Sequence, residues 1–317
     1  MPHRRVTHEL SALLSRNGPV VLDGGLTAQL EARGHDLSDE LWSARLLADD
    51  PEAIEDAHLA FLEARARIVT TASYQASREG FARAGVPAAR ADELLRRSVL
   101  LARAACARFL AARPDAPRPL VAASAGPYGA LLAGGQEYTG DYRDLGASEL
   151  ERFHEQRLET LLEAGPDCVA CETIPRVDEA AALARVLDRV QAPDAWITFA
   201  CRDGRSTAHG EPIEEAVAAA LSGTRVAAVG VNCTAPVHVE ELLQRARSVT
   251  DRPLVAYPNS GQVWDAGGRA WTQPGTASFP HALVRAWVDA GARIVGGCCG
   301  IGPAGIAELA PAVAGNA

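Results

Sequence analysis

Three cysteine residues have the types and spacing of a catalytic metal site. Cys233 lies in the run Gly-Val-Asn-Cys-Thr, and Cys298 and Cys299 are adjacent in the run Gly-Gly-Cys-Cys-Gly. Neighbouring side chains on a regular strand point to opposite faces, but the flanking glycines allow the backbone to turn both sulfurs towards one ion. Three thiolates at ~2.3 Å from a zinc ion leave one tetrahedral position open, as in catalytic rather than structural sites. A substrate thiol in that position would be deprotonated at neutral pH and become a nucleophile.

Other readings of the thiols must be weighed beside the metal site. The three cysteines could be small core residues, a redox-active set, or the site of a zinc or thiol sensor without catalysis, although adjacent cysteines among glycines pack poorly. Cys168 and Cys171 form a Cys-x-x-Cys string, but positions i and i+3 of a strand face opposite ways, so we expect core thiols. We expect Cys106 to pack within a helix. Cys201 ends another predicted strand, where it could line the site without being a metal ligand.

Two carboxylates at the ends of predicted strands, Asp23 and Glu172, are suited to binding the ammonium group of an amino-acid substrate. The competing interpretation is a structural carboxylate that accepts hydrogen bonds from loop amides. Ser73 and Ser124 could hold the substrate carboxylate, or they could be ordinary hydroxyls at strand ends. Asn259, at another predicted strand end, is a further candidate substrate-binding residue.

Aromatic residues in the predicted loops could attract a methyl donor that carries a positive charge, because a sulfonium is drawn to an aromatic face. Trp42, Tyr74, Trp264 and Trp271 all fall in such loops. Each could instead pack the loop, since aromatic burial is valuable anywhere. His209 lies in another loop with no partner evident in the sequence, and we expect it to be exposed to solvent.

Eight short apolar runs alternate with longer segments of helical period. The runs cover residues 20–23, 68–73, 120–124, 168–172, 196–201, 228–233, 254–258 and 293–298. Most are nearly continuous in Val, Ile, Ala and Leu, as expected of parallel strands that are buried on both faces. In one of the intervening segments, Leu183, Val186, Leu187 and Val190 form a single apolar stripe of helical spacing.

This alternation, without a linker or low-complexity stretch, predicts a single-domain α/β fold, the closed (β/α)8 barrel. The domain is expected to cover residues 1–317, with 1–18 as an N-terminal extension and the strands between 20 and 299. A doubly wound open sheet is the alternative. In a barrel the loops after the strands rise from one face, so the polar residues at the strand ends should meet there.

Composition excludes several classes of function. The 317 residues carry a formal net charge of −9 without a cluster of Lys and Arg, which argues against a nucleic-acid surface. No apolar stretch approaches the ~20 residues of a membrane helix, and the N-terminal run is broken by polar residues, so we expect neither a membrane anchor nor a secretory signal. We therefore expect a cytoplasmic protein, in which the seven cysteines would stay reduced.

The motifs together resemble one known family, the homocysteine S-methyltransferases of the S-methylmethionine-using type. The likeness spans nearly the whole chain. The matching segments are Leu22-Asp23-Gly24-Gly25, Leu41-Trp42-Ser43-Ala44, Thr71-Ala72-Ser73-Tyr74-Gln75-Ala76, Gly126-Pro127-Tyr128-Gly129-Ala130, Ala170-Cys171-Glu172-Thr173, Gly230-Val231-Asn232-Cys233, Tyr257-Pro258-Asn259-Ser260-Gly261 and Gly296-Gly297-Cys298-Cys299.

The resemblance implies a (β/α)8 barrel that binds Zn²⁺ through the thiols of Cys233, Cys298 and Cys299. It also implies homocysteine as the methyl acceptor, held with help from Glu172, with Asp23 at the family's other acidic position. The expected donor is S-methylmethionine, or S-adenosylmethionine, with methionine as product. Betaine- and folate-dependent relatives share the thiol motifs, so a betaine-dependent enzyme is the alternative.

Three further details bear on the resemblance. Trp42, Tyr74 and Gln75 are expected to bind substrate, and the segments around them favour the sulfonium donors. Gly300 stands where close relatives can carry Arg. The cobalamin and folate modules of large methionine synthases need hundreds of additional residues, so cobalamin is not expected.

Overall fold

Eight parallel strands form the centre of the molecule. The computed structural model describes residues 8–16, 18–37, 43–142, 145–262, 264–265, 270–271 and 275–315. Within these residues the eight strands are β1 (Val20–Val21), β2 (Ile68–Thr70), β3 (Leu120–Ala125), β4 (Cys168–Ile174), β5 (Ala195–Phe199), β6 (Val226–Asn232), β7 (Leu254–Tyr257) and β10 (Ala292–Val295). A two-stranded antiparallel hairpin, β8 (Trp264–Asp265) and β9 (Ala270–Trp271), lies in the loop after β7.

The sheet closes on itself. Its strand order is β1-β10-β7-β6-β5-β4-β3-β2, and every neighbouring pair is parallel. The remaining seam between β1 and β2 is joined by a parallel bridge from Leu22 to Ile68, with the amide of Asp23 donating to the Ile68 carbonyl at 3.1 Å. The predicted barrel is therefore confirmed, and the open sheet is excluded.

Most of the helices in the described residues cover the outside of the barrel, and the first of them covers one of its ends. They are α1 (Glu9–Leu14), α2 (Leu26–Ala32), α3 (Ser43–Asp49), α4 (Pro51–Glu63), α5 (Arg78–Arg83), α6 (Ala88–Ala112), α7 (Tyr128–Leu132), α8 (Ala147–Glu163), α9 (Val177–Arg189), α10 (Ile213–Ala220), α11 (Pro236–Arg247), α12 (His281–Asp289) and α13 (Pro303–Val313), with a 3₁₀ turn at Gln136–Tyr138. The predicted stripe on α9 is confirmed, because Leu183, Val186 and Leu187 are fully buried and Val190 packs beside them. No helix in the described part of the chain is both long and apolar enough to cross a membrane.

The N-terminal helix α1 packs against the interior of the barrel. Leu10 and Leu14 are buried in one cluster with barrel residues such as Trp196 and Ile294. The carboxylate of Asp194, just before β5, accepts a hydrogen bond from the Ser11 amide at 2.8 Å. Because α1 contacts the residues that start the strands, the other end of the barrel is left for the loops that follow them.

Candidate metal and substrate site

The three predicted thiols converge at that end of the barrel. Cys233 follows β6, and Cys298 and Cys299 follow β10. Their sulfur atoms all lie within 4.8 Å of one another, and the sulfurs of Cys233 and Cys299 are 3.4 Å apart. Tetrahedral geometry with sulfurs at ~2.3 Å from a zinc ion requires sulfur atoms ~3.8 Å apart. The observed cluster therefore fits one zinc ion with little rearrangement.

Loop backbone, rather than a distorted strand, turns the sulfurs together. Strand β10 ends at Val295, so Cys298 and Cys299 lie beyond the pleat that would have separated them. Cys233 has φ +46°, a left-handed conformation that is costly for a residue with a side chain. The Asn259 amide group holds this turn by donating to the Cys233 carbonyl at 3.2 Å.

Hydrogen bonding among the thiols gives them different proton affinities. Donation from Cys233 and Cys298 lowers the pKa of Cys299 well below its ordinary value. The same sharing of protons, together with burial, holds the pKa of Cys298 well above its usual range. The three thiols are thus coupled through the protons that they share, and a divalent cation bound by the sulfurs would replace these protons. Sulfur-only donors of this kind suit zinc.

A cavity opens beside the thiols and contains both predicted carboxylates. It is lined by Asp23, Gly24, Gly25, Leu26, Thr27, Thr70, Thr71, Ala72, Tyr74, Gln75, Ser124, Tyr138, Glu172, Thr173, Cys233, Tyr257, Gly297, Cys298 and Cys299. Most of these residues follow a strand, as the barrel prediction requires. Ser73 and Asn259, which were predicted as substrate ligands, are not among them.

Glu172 lies beside hydroxyl groups in the cavity. The Ser124 hydroxyl donates to Glu172 Oε1, and the Tyr257 hydroxyl lies close enough to this carboxyl to lower its pKa. Tyr257 is in turn fixed by the Trp196 indole, which donates to its oxygen at 3.1 Å. Burial raises the pKa of Glu172 to about 7, because a carboxylate is poorly solvated there. A cationic group placed in the cavity would restore its charge.

The raised pKa makes a prediction about stability. The folded protein keeps a proton on Glu172 between pH 4.5 and about 7, where the unfolded chain has lost it. This group's contribution to stability therefore falls as the pH rises through that range, by up to about 3 kcal/mol. We expect the free energy of unfolding of metal-free Glu172→Gln protein, relative to that of wild type, to increase as the pH rises from 5 to 8. Denaturant unfolding of chelator-treated proteins measures this difference, and a difference independent of pH would contradict the assignment.

Asp23 lines the cavity but also performs the structural role considered for it. Its Oδ2 accepts from the Thr70 amide at 2.7 Å, and the Thr70 hydroxyl lies 3.1 Å from the same oxygen. Burial raises the pKa of Asp23 well above its ordinary value, and the nearby charge of Glu172 adds to the effect. The carboxyl thus ties β1 to β2 from inside the cavity.

Of the remaining predicted substrate ligands, some line the cavity and others support the residues that line it. Tyr74 and Gln75 line the cavity, and the Gln75 amide donates to the Ala130 carbonyl at 3.0 Å. The fully buried Ser73 donates to the Ser124 carbonyl at 2.7 Å. Trp42 lies outside the described residues.

The predictions for the isolated cysteines are confirmed. Cys168 is buried in the barrel interior and Cys171 in the layer between strands and helices, on opposite faces of β4. Cys106 packs within α6. Cys201 does not line the cavity; its amide donates to the Thr234 hydroxyl at 2.9 Å. His209 is exposed, as predicted, but it does have a partner, because its Nδ1 lies 2.7 Å from Glu211 Oε1.

Sequence reasoning missed two tyrosines in the site. The Tyr138 hydroxyl lies 3.2 Å from the Cys233 sulfur, although Tyr138 sits in a 3₁₀ turn 13 residues beyond the end of β3. No strand-end rule points to such a position. Tyr257 is the last residue of β7, where that rule could have found it, but it was counted with the apolar run.

The chain is similar to known methyltransferases along most of its length. The family profile described as homocysteine S-methyltransferase matches residues 20–313. Homocysteine S-methyltransferase of Escherichia coli strain K12 is 43% identical over 301 residues, covering 95% of this chain and 97% of that protein. Homocysteine S-methyltransferase 4 of Zea mays is 45% identical over 308 residues, covering 93% and 90%. The crystal structure of the homocysteine methyltransferase MmuM from Escherichia coli in its metallated form has a TM-score of 0.85 and 42% identity, covering 95% of this chain and 98% of that one.

Proposed function

The chain belongs to the homocysteine S-methyltransferase family, and from that premise we propose that it transfers a methyl group from S-methylmethionine to homocysteine in a zinc-dependent reaction. The enzyme class and the homocysteine acceptor follow from the family. The zinc ion, the donor and the role of each residue are the proposal. The observation that carries it is the convergence of three cysteine sulfurs on a cavity that also contains Glu172.

Cys233, Cys298 and Cys299 would hold the metal, and the similar Escherichia coli structure is of a metallated form. Zinc at this position would lower the pKa of a bound thiol, so that the acceptor reacts as a thiolate at neutral pH. The protein needs no separate general base for this step. The proton of the homocysteine thiol leaves to solvent, and no covalent enzyme intermediate is required.

Glu172 would bind the ammonium group of homocysteine. Its side chain lines the same cavity as Cys233 and Cys298, and the hydrogen bond from Ser124 restricts the orientation of its carboxyl. An ammonium ion beside a buried carboxylate stabilises the ionised form, which offsets the desolvation that raises the Glu172 pKa. Asp23 is the second acidic residue available to the amino acid.

The methyl group would move in line from the donor sulfur to the acceptor sulfur. The new bond joins the homocysteine sulfur to the methyl carbon while the bond from that carbon to the sulfonium breaks, so S-methylmethionine leaves as a second methionine. Opposite charges neutralise each other during this step, which a poorly hydrated cavity favours. The residues' main contribution is to align the two substrates.

Tyr74 and Gln75 would face the donor, with Trp42 as the further aromatic residue named by the sequence. An aromatic face attracts a sulfonium, and the Tyr74 side chain borders the cavity beside the thiols. Ser73 and Asn259 would support the cavity rather than contact substrate, because they donate hydrogen bonds to the Ser124 and Cys233 carbonyls. S-adenosylmethionine is the second sulfonium donor that this arrangement admits.

A donor panel tests the proposal. Protein of measured zinc content is incubated with homocysteine and with S-methylmethionine, S-adenosylmethionine or betaine, and methionine formation is followed. We expect S-methylmethionine to give the highest rate and betaine to give none. If only betaine gave methionine, the donor would be betaine rather than S-methylmethionine. Stoichiometric zinc with no product from any donor would instead favour a zinc or thiol sensor. Thiols that zinc does not protect from alkylation would favour the redox interpretation.

A further inference from the structure

Three charged or titratable side chains are completely enclosed between α8, α9 and the loops after β2 and β3. Arg157 is 2% exposed, and His154 and Glu179 are fully buried. None of the three lines the cavity. Burying ions is costly unless they are paired and hydrogen-bonded, and an apolar group of similar volume often serves stability as well or better. Their presence next to the site therefore calls for a role that apolar packing does not supply.

The positions of the protons on Arg157, His154 and Glu179 follow from the hydrogen bonds that these three side chains make. The Arg157 guanidinium lies 3.0 Å from His154 Nδ1 and can only donate, so Nδ1 must accept. The proton of the neutral imidazole then lies on Nε2, which donates to Glu179 Oε1 at 2.9 Å. Burial lowers the pKa of His154, in agreement with a neutral ring. Arg157 and Glu179 are thus a buried ion pair bridged by an uncharged histidine.

The guanidinium end of the set holds two backbone segments together. Arg157 donates from Nη1 to the Tyr74 carbonyl at 3.3 Å and from Nη2 to the Gly126 carbonyl. Gly126 itself donates its amide to the Tyr74 carbonyl at 3.1 Å. A Cβ atom on Gly126 would come within 2.7 Å of the Tyr74 ring, so the ring lies directly on the Gly126 backbone.

The carboxylate end anchors the set to the loop after β3. Glu179 accepts from the Tyr128 amide at 2.6 Å and from the Tyr142 hydroxyl at 2.8 Å. The same loop continues to Tyr138, whose hydroxyl reaches the Cys233 sulfur. Helices α8 and α9 are thereby bonded to the backbone of Tyr74 and to the loop that carries Tyr138.

We propose that Arg157, oriented by His154 and Glu179, is a positioning residue that fixes the Tyr74 ring in the wall of the cavity and so governs binding of the sulfonium donor. We refer to these three residues as the Arg157 clamp. The part of this inference that concerns the donor depends on the proposed function, whereas the part that concerns the position of Tyr74 does not. The clamp touches neither substrate.

The test compares Arg157→Met with Arg157→Lys and with Arg152→Met, an exposed arginine on the same helix as matched control. We expect Arg157→Met to raise the KM for S-methylmethionine about tenfold. The KM for homocysteine and the zinc content should stay at wild-type values. Lysine keeps the charge but reaches fewer acceptors, so its KM should lie between the two, and it carries the test if the methionine variant does not fold. Arg152→Met should match wild type.

Hydrogen exchange separates the clamp from the proposed function, because it needs no donor. Peptides covering residues 70–76 and 124–130 should exchange faster in Arg157→Met or Arg157→Lys than in Arg152→Met, since the Gly126–Tyr74 bond loses its support. A wild-type enzyme that does not use S-methylmethionine would overturn the donor but leave this expectation intact. The clamp would be overturned if hydrogen exchange and both KM values stayed unchanged, and kcat fell only in proportion to the fraction of folded protein.

Discussion

Replacing Cys298 by alanine is expected to remove zinc from the protein and to lower methionine formation by more than about 100-fold, since loss of even an outer partner of a metal ligand costs about 10–100-fold. The same result is expected for Cys233 and Cys299, because the three sulfurs form one cluster. Two thiolates offer the ion too few ligands, and the acceptor thiol then keeps its proton at neutral pH. Zinc content by elemental analysis and initial rates of methionine formation measure the two effects on the same samples.

Cys201→Ala is the matched control for these variants. Cys201 ends a neighbouring segment of the same barrel face but does not line the cavity, so its loss should leave zinc content and rate at wild-type values. A triad variant that stays fully active without zinc would refute the metal mechanism. If the Cys201 variant instead lost its zinc, the assignment of Cys233, Cys298 and Cys299 as the metal ligands would be wrong.

The barrel could be predicted because its signal is distributed over the whole chain. Each of the eight apolar runs overlaps one strand of the barrel, and the runs are continuous because parallel strands are buried on both faces. The ends were less accurate: the first run extends to Asp23, whereas β1 ends at Val21. Strand ends are decided by where the chain must turn polar side chains into the cavity, which apolar periodicity does not report.

The thiols and carboxylates could be located because they directly follow strands, and the loops after parallel strands share one face of a barrel. Tyr138 could not, because the distance along the chain from β3 to its 3₁₀ turn is set by the packing of the loop rather than by any local pattern. Gly129 shows the constraint: a Cβ atom there would come within 2.6 Å of the Glu137 amide nitrogen. Such contacts join residues that no sequence pattern relates, so the position of Tyr138 could be found only from the structure.

The reason for the convergence of Cys298 and Cys299 also had to come from the structure. Adjacent residues on a strand face apart, and the glycines in the sequence indicated a distortion that would bring them together. The strand instead stops before them, and the Cys298 amide donates to the Pro258 carbonyl at 2.8 Å. The buried clamp was equally invisible, because His154, Arg157 and Glu179 occupy ordinary helical positions in the sequence.

Glu172→Gln is expected to raise the KM for homocysteine by at least about 30-fold, since removing one member of a buried charge pair costs about 2–5 kcal/mol. The amide keeps the size of the side chain and can still accept from Ser124, so the cavity wall should hold its shape. It cannot supply the negative charge for an ammonium group. Zinc content should not change, because the three thiols are intact.

Asp23→Asn distinguishes recognition of the amine from support of the barrel. Both Asp23 oxygens lie within hydrogen-bonding distance of Thr70, whose amide donates to one of them, so the variant should lose stability more than affinity for homocysteine. Glu172→Gln should show the reverse. A larger rise in KM for the Asp23 variant would transfer amine recognition to that residue.

A substrate that lacks the amine decides whether Glu172 acts through it. 4-Mercaptobutanoate is homocysteine without its amino group, so wild-type enzyme should use it with a kcat/KM lower by about the same 30-fold or more that the Glu172 variant shows with homocysteine. In Glu172→Gln the charge is already absent, and removing the amine should then cost little more, as coupled partners require. Independent losses that multiply would mean that Glu172 shapes the cavity without touching the ammonium group.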